Sequence, residues 1–315
     1  MRRRHAIRLI GCTLAVSGTA SAARAQGALE KITIVGPPSE DATSLYYAVK
    51  TGMPQRFGLE IELISTGSGT AATTAVVAGS YDVGRSSLLP ILAAHLRDIP
   101  ITMVAPLNLF SGKNPFMLLQ IANDAPYRTA SDLNGKTIGA PALNDLASLA
   151  TRAWVDKNGG DWRSLKFTEI PNSSLEPAIV QHRIDAAIVQ SAQLDATLAS
   201  KSTKTLADAN SAIAPAFLVA AYIARREWAQ QHLDALRRFN RMLNEASSYV
   251  GTHPAETAPV VAELTKIDLA AVQKMQHRTM YASSIDAAAV QLVIDAAARY
   301  EHIPRSFPAR EVIST

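Results

Sequence analysis

Apolar and polar positions alternate over residues 31–35 (KITIV) and again over 60–64 (EIELI). The first run ends in Gly36-Pro37-Pro38 and the second in Thr66-Gly67-Ser68-Gly69, the pattern of half-buried strands that enter loops. Between them, residues 45–50 read as a helix that Gly52 stops, and 70–78, rich in Ala, Val and Thr, read as the next helix. Tyr81-Asp82-Val83 predicts a short strand, and Gly84-Arg85-Ser86-Ser87 a loop leading into a helix that ends near Leu96. Apolar runs over 99–105 and 116–121 have the length and β-branched content of strands. The alternation then repeats, with strands over 137–139, 166–170 and 186–189 and helices over 145–157 and 174–182. Leu146, Leu149, Ala150, Ala153 and Trp154 form one apolar stripe, and Asn158-Gly159-Gly160 ends that helix. Residues 217–223 are again β-compatible. From Glu227 the pattern is helical, with Leu233, Leu236, Phe239, Leu243 and Val250 in one stripe and Pro254 opening a further helix. Alternation of this kind predicts an α/β fold with a mainly parallel sheet, its ligand loops at the C-terminal strand ends. DLNGKTIGAP (132–141) and DAAIVQS (185–191) are the two segments that deliver such ends most plainly.

The first 25 residues have another character. Arg2, Arg3, Arg4 and Arg8 precede a weakly apolar stretch, and Ala23-Arg24-Ala25 fits a small-x-small cleavage site, so residues 1–25 read as a cleavable secretory signal. Twin-arginine export (Arg3-Arg4) and a lipoprotein box at Cys12 fit less well, because the flanking residues match the first poorly and too few apolar residues precede the second. The signal also accounts for the basic balance. Without its five arginines, 26 basic residues face 27 acidic ones, so nothing in the charge asks for nucleic acid. Cys12 is the sole cysteine, and the mature chain therefore has no disulfide, thiolate metal site or cysteine nucleophile.

GLEIEL (58–63), an alanine-rich helix, AGSYDVG (78–84), DLNGKTIGAP and RIDAAIV (183–189) follow in this order and at these intervals. The series resembles the nitrate/taurine/sulfonate-type solute-binding proteins of ABC importers, within the wider group that includes thiamine-pyrimidine-binding proteins. The resemblance implies a two-lobed type II periplasmic binding fold with two hinge crossings, closing on a small molecule. Lobe I is expected over 26–111 and 217–315, and lobe II over 112–216. It further implies a monomer in the periplasm that delivers its ligand to an ABC permease in the inner membrane, with no cofactor and no enzymatic activity. One departure stands out. Family members commonly carry Glu-Pro after the DAAIV-type strand, where this chain has Gln190-Ser191.

Candidate ligand-binding residues lie at the expected strand ends: Ser39 and Thr43 after the first strand, Thr66, Gly67 and Ser68 after the second, and Arg85, Ser86 and Ser87 after the third. Asn144, Gln190 and Ser191 face them from the other lobe, and Phe110 with Tyr46 offers a flat apolar wall. Ser86, Ser87 and Asn144 equally suit helix N-caps, and Arg85 equally suits a solvated or ion-paired charge. Helix N-termini and a guanidinium favour a carboxylate or sulfonate, whereas Glu40 and Asp41 in the first loop would suit a neutral or cationic solute. Enzymatic signatures are lacking: the seven histidines form no H-E-x-x-H, and neither a G-x-S-x-G elbow nor a phosphate loop is present. Pyrimidine-synthesising relatives of this fold depend on a cysteine-rich segment and a cofactor lysine, which the mature chain cannot match.

Overall fold

The computed structural model describes residues 28–314; the expected signal, with its arginines and Cys12, lies outside them. The first part of the chain forms β1 (Glu30–Gly36), α1 (Thr43–Lys50), α2 (Met53–Arg56), β2 (Leu59–Ser65), α3 (Gly69–Val77), β3 (Val83–Ser87), α4 (Leu88–His95) and β4 (Ile101–Ser111). A second part follows with β5 (Met117–Ala122), β6 (Thr137–Ala140), α5 (Leu146–Lys157), β7 (Lys166–Glu169), α6 (Asn172–Val180), β8 (Ala186–Gln190), α7 (Ser191–Ser200) and β9 (Thr203–Ala207). The chain returns along β10 (Ala216–Arg225) and continues through α8 (Arg226–Gln231), α9 (Leu233–Thr252), α10 (Pro254–Thr265), α11 (Leu269–Gln273), β11 (Met280–Tyr281) and α12 (Ala287–Arg299).

Two separate sheets result. The first runs β11-β4-β10-β3-β1-β2 and the second β7-β6-β8-β5-β9. β1 pairs in parallel with β2 and β3, while β10 lies antiparallel between β3 and β4. β4 and β10 are therefore the strands that lead out of the first sheet and back into it. Where they leave it, Phe110 and Phe217 pack with ring centroids 5.0 Å apart, both fully buried. One apolar core fills the space between the first sheet and helices α1 and α9, from Ile32, Ile34 and Leu45 to Tyr222 and Phe239. The other runs continuously from Leu88 and Met103 through Phe110 and Phe217 into the second sheet, and takes in α12.

Residues 84–87, expected as a loop, are instead strand β3. Their polar side chains suggested a turn, but the backbone pairs with β1 on one side and β10 on the other. Ladder hydrogen bonds on both edges outweigh composition in a central strand. α7, β9 and β11 carry weak or short apolar patterns, so no periodicity in the sequence predicts them. Leu233, expected in the α9 stripe, is exposed because it occupies the first helical position, ahead of the buried face formed by Leu236, Phe239, Leu243 and Val250.

Candidate functional site

The C-terminal ends of β1 and β3, with the middle of the antiparallel β10 beside them, are roofed by the loop that joins β1 to α1. Arg85 lies beneath that loop, 3 % exposed. One of its terminal nitrogens donates to Asp41 Oδ1 at 3.3 Å and the other to the carbonyl of Pro37. It can lie there because Gly36 has no side chain: a Cβ at that position would stand 2.7 Å from Arg85 Nε. Ser39 donates to the same Asp41 carboxylate, so the loop is tied to the sheet through one buried charge pair. Arg85 is thus occupied in holding the loop and is not presented to solvent. Tyr222 faces it in register on β10; burial pushes its hydroxyl pKa up, and the Arg85 charge opposes this.

The next residues of the loop reach the second lobe. Thr43, fully buried, donates to the Glu40 carbonyl at 2.6 Å, and Tyr281 of β11 donates to that same carbonyl at 3.4 Å. Glu40 accepts from the Thr279 amide at 3.1 Å, and Ser191 at the start of α7 lies beside it. Burial pushes the Glu40 carboxyl up, and its polar neighbours Ser191 and the Thr279 amide only partly offset this. Ser191 has φ 51°, a left-handed conformation uncommon for a residue with a Cβ, and strain of this kind gathers at ligand clamps and switch points. Close by, Asp195 of α7 accepts from the amides of Gln276 and His277 at 2.8 and 3.1 Å and from the His277 ring at 2.6 Å. Asp195 thus ties α7 to the first lobe.

Four buried polar atoms around these strand ends have no hydrogen-bond partner: Glu40 Oε2, Ser86 Oγ, Asn108 Oδ1 and the Tyr222 hydroxyl. Buried polar atoms are paired in the great majority of cases, so a group of unpaired ones near these strand ends singles this region out as the candidate site. Of these, Ser86 is an expected ligand-binding residue and Glu40 an expected charge near the ligand; Asn108 lies just beyond the apolar run 99–105 and Tyr222 inside the run 217–223, where no local pattern marks them.

The remaining expected residues divide into two groups. Thr66, Gly67 and Ser68 line an open edge of the first lobe: Gly67 has nothing within 4 Å of its Cβ position, and Ser68 caps α3 by accepting from Ala71 N at 3.1 Å. Ser87 stands at the N-cap of α4 without a side-chain cap, and Gln190 stands half-buried before α7. Two residues play other parts. Phe110 is core, not a cleft wall, because β4 continues past it to Ser111 and turns its ring onto Phe217. Asn144 does not cap α5. Asp145 does so in a reciprocal capping box with Ser148, and Asn144 donates to the His302 carbonyl at 3.2 Å. That bond belongs to a strap in which the segment after α12 lies along α5, with Arg152 donating to the Tyr300 carbonyl and Tyr300 to Asp156.

Comparison with known proteins places this geometry. A family model described as NMT1/THI5 like matches residues 39–257, about seven-tenths of the chain. A curated relative, the formylaminopyrimidine-binding protein of Halalkalibacterium halodurans, is 22% identical over 151 residues, which is 48% of this chain and 44% of that protein. The match thus spans less than half of the relative's length. Among solved structures, the periplasmic aliphatic sulphonate binding protein SsuA from Escherichia coli superposes with a TM-score of 0.75 at 16% identity, covering 91% of this chain and 92% of that one. The alkanesulfonate-binding protein SsuA from Xanthomonas axonopodis pv. citri, bound to MOPS, gives 0.74 at 17% identity over 90% and 98%. The periplasmic nitrate-binding protein NrtA from Synechocystis PCC 6803 gives 0.73 at 14% identity over 90% and 84%. These neighbours share the two-lobed periplasmic binding fold.

Proposed function

The chain belongs to the NMT1/THI5-like family, and from that premise we propose that it is the solute-binding component of an ABC importer, capturing a small organic anion by reversible binding. The lobes of this reading are 26–111 with 217–315, and 112–216, hinged where β4 passes to β5 and where the chain re-enters β10. The observation that carries it is the group of unpartnered polar atoms at the strand ends of the first lobe, adjoining the Glu40–Ser191 meeting of the two lobes. A solute bound beside them contacts both lobes at once, which is the differential contact that closure requires. The Thr66–Ser68 edge at the N-terminus of α3 suits a carboxylate or sulfonate, since the first turn and the dipole of a helix favour an anion. Neighbours whose names specify sulphonate, alkanesulfonate or nitrate binding support that class. The importer role places the chain in the periplasm, as a monomer that hands its ligand to a membrane permease. Among the described residues no helix is long and apolar enough to cross a membrane.

The test is a calorimetric and thermal-shift screen of the purified mature chain against alkanesulfonates, aromatic carboxylates, nitrate and pyrimidines, with mass-spectrometric recovery of each compound. Stoichiometric binding of an anion, recovered unchanged, is the expected result. Conversion of any compound would replace the binding reading with an enzymatic one.

A further inference from the structure

Asp195 follows Ser191 by four residues on α7, so the two project from one face of that helix. The neighbouring face is buried: Leu194 and Thr197 are fully covered, and Leu194 belongs to the core that runs into the second sheet. Opposite Asp195 stands a turn of the first lobe between α11 and β11. Arg278 closes this turn by donating to the Val272 carbonyl at 2.7 Å, and β11 beyond it is paired with β4. The turn presents three donors to one carboxylate. The amides of Gln276 and His277 reach Asp195 Oδ2 at 2.8 and 3.1 Å, and the His277 ring reaches Oδ1 through Nδ1 at 2.6 Å. A carboxylate can only accept, and hydrogen bonds to an ionised acceptor are roughly twice as strong as neutral ones. Among the described residues the two elements share no buried apolar cluster, since Val272 and Met275 belong to a small cluster with Ala258 and Val261, separate from the core that holds Leu194. The His277 and Asp195 side chains also keep some contact with solvent, at 23 and 19 % exposure. A polar contact of this kind can part and re-form in water at little cost, whereas a shared apolar core resists separation.

We propose that Asp195 is an interlobe latch: its carboxylate seats in the 276–277 turn only when the lobes are together, and so sets how long a captured solute is held. The inference rests on the two-lobed reading above. A bond made in one state alone shifts the equilibrium toward that state, whether or not a solute is present. The solute contacts lie at the strand ends near Glu40, and Asp195 stands one helical turn beyond Ser191, so it acts as a positioning residue on release and not on recognition. Because the latch engages once the lobes have met, it slows dissociation and leaves association nearly unchanged.

The experiment compares the mature wild type with Asp195→Asn, Asp195→Ala, His277→Ala and the double variant Asp195→Ala/His277→Ala. Alanine is the best helix former and α7 keeps its own buried face, so Asp195→Ala folds. In the first arm no solute is added, and pulsed dipolar spectroscopy reads the separation of spin labels on Gly67→Cys and Asn172→Cys, both at exposed positions. The expected result is a longer mean distance in Asp195→Ala and a smaller lengthening in Asp195→Asn, which keeps one acceptor oxygen. His277→Ala lengthens the distance less than Asp195→Ala, and the double variant adds nothing to Asp195→Ala, because both changes break the same contact. In the second arm, stopped-flow binding of an anion from the screen shows dissociation faster by about fivefold or more in Asp195→Ala, with association within about twofold of the wild type. A wild-type distance distribution in Asp195→Ala overturns the proposal, and so does a loss of affinity that lies in the association rate. Lengthened distances in a chain that binds none of the screened anions uphold the latch and refute the solute assignment alone.

Discussion

Replacing Arg85 with methionine distinguishes a buried strut from a ligand-holding cation. The guanidinium is 3.3 Å from Asp41 Oδ1, and the two side chains are 3 and 21 % exposed. At that separation and an effective dielectric constant near 20, the gross attraction is about 5 kcal/mol. Desolvation cancels much of it, yet removing one partner of a buried pair still costs about 3–5 kcal/mol, because the other charge is left without compensation. Asp41 retains some access to water, so the lower end, about 3 kcal/mol, applies. For a chain of this size each kcal/mol lowers Tm by about 2–4 °C, which gives a fall of roughly 6–12 °C. The loop that roofs β1, β3 and β10 loses its anchor in the same variant, so solute affinity falls with it. The assay is thermal and urea unfolding of Arg85→Met and of Asp41→Asn/Arg85→Met, each also titrated with the best-binding anion. The double variant recovers at least half of the lost stability, because no unpaired charge remains. If Arg85→Met keeps the wild-type Tm while losing the anion, the guanidinium serves the ligand and the strut is refuted.

Two further outcomes follow from the packing. His302 is buried against α5 and contacts Ser148 at 2.9 Å; burial, and then the Arg152 charge, push its pKa down from 6.5 to about 4. The unfolded chain therefore accepts a proton that the folded one resists, so stability falls as pH drops from about 6.5 toward 4, by about 3 kcal/mol in all. Urea unfolding at pH 7 and pH 4.5 should show this loss in the wild type and a smaller one in His302→Gln; equal slopes would contradict it. A Cβ on Gly139 of β6 would lie 2.5 Å from Ile184 Cδ1 and 3.1 Å from Leu175 Cδ2, so Gly139→Ala should cost about 1–3 kcal/mol by overpacking, and an unchanged urea midpoint would refute that.

The periodic elements were legible from sequence because their burial follows their pattern. Residues 31–35 and 60–64 alternate and form β1 and β2, and the stripe from Leu149 to Ala153 is the buried face of α5. Strand β3 has the composition of a loop, and it is a strand because β1 and β10 pair with it, which is not written in the strand itself. The site was partly legible for the same reason. Ser39, Thr43 and Ser191 lie at strand or helix ends, where loop position signals them. Asn108 and Tyr222 become informative only once burial leaves their oxygens without partners. The pairing of Arg85 with Asp41 joins residues 44 positions apart, and no local spacing could show it.

The central claim, that two lobes close on a solute where Glu40 meets Ser191, is tested most directly by a distance measured across the opening. The mature sequence contains no cysteine, so Gly67→Cys on the first lobe and Asn172→Cys on the second can each carry one spin label at an exposed site. Pulsed dipolar spectroscopy with and without a saturating anion from the screen then reads the separation of the lobes. The account predicts a shorter and narrower distance distribution when the anion is bound. An unchanged distribution at saturation would contradict closure.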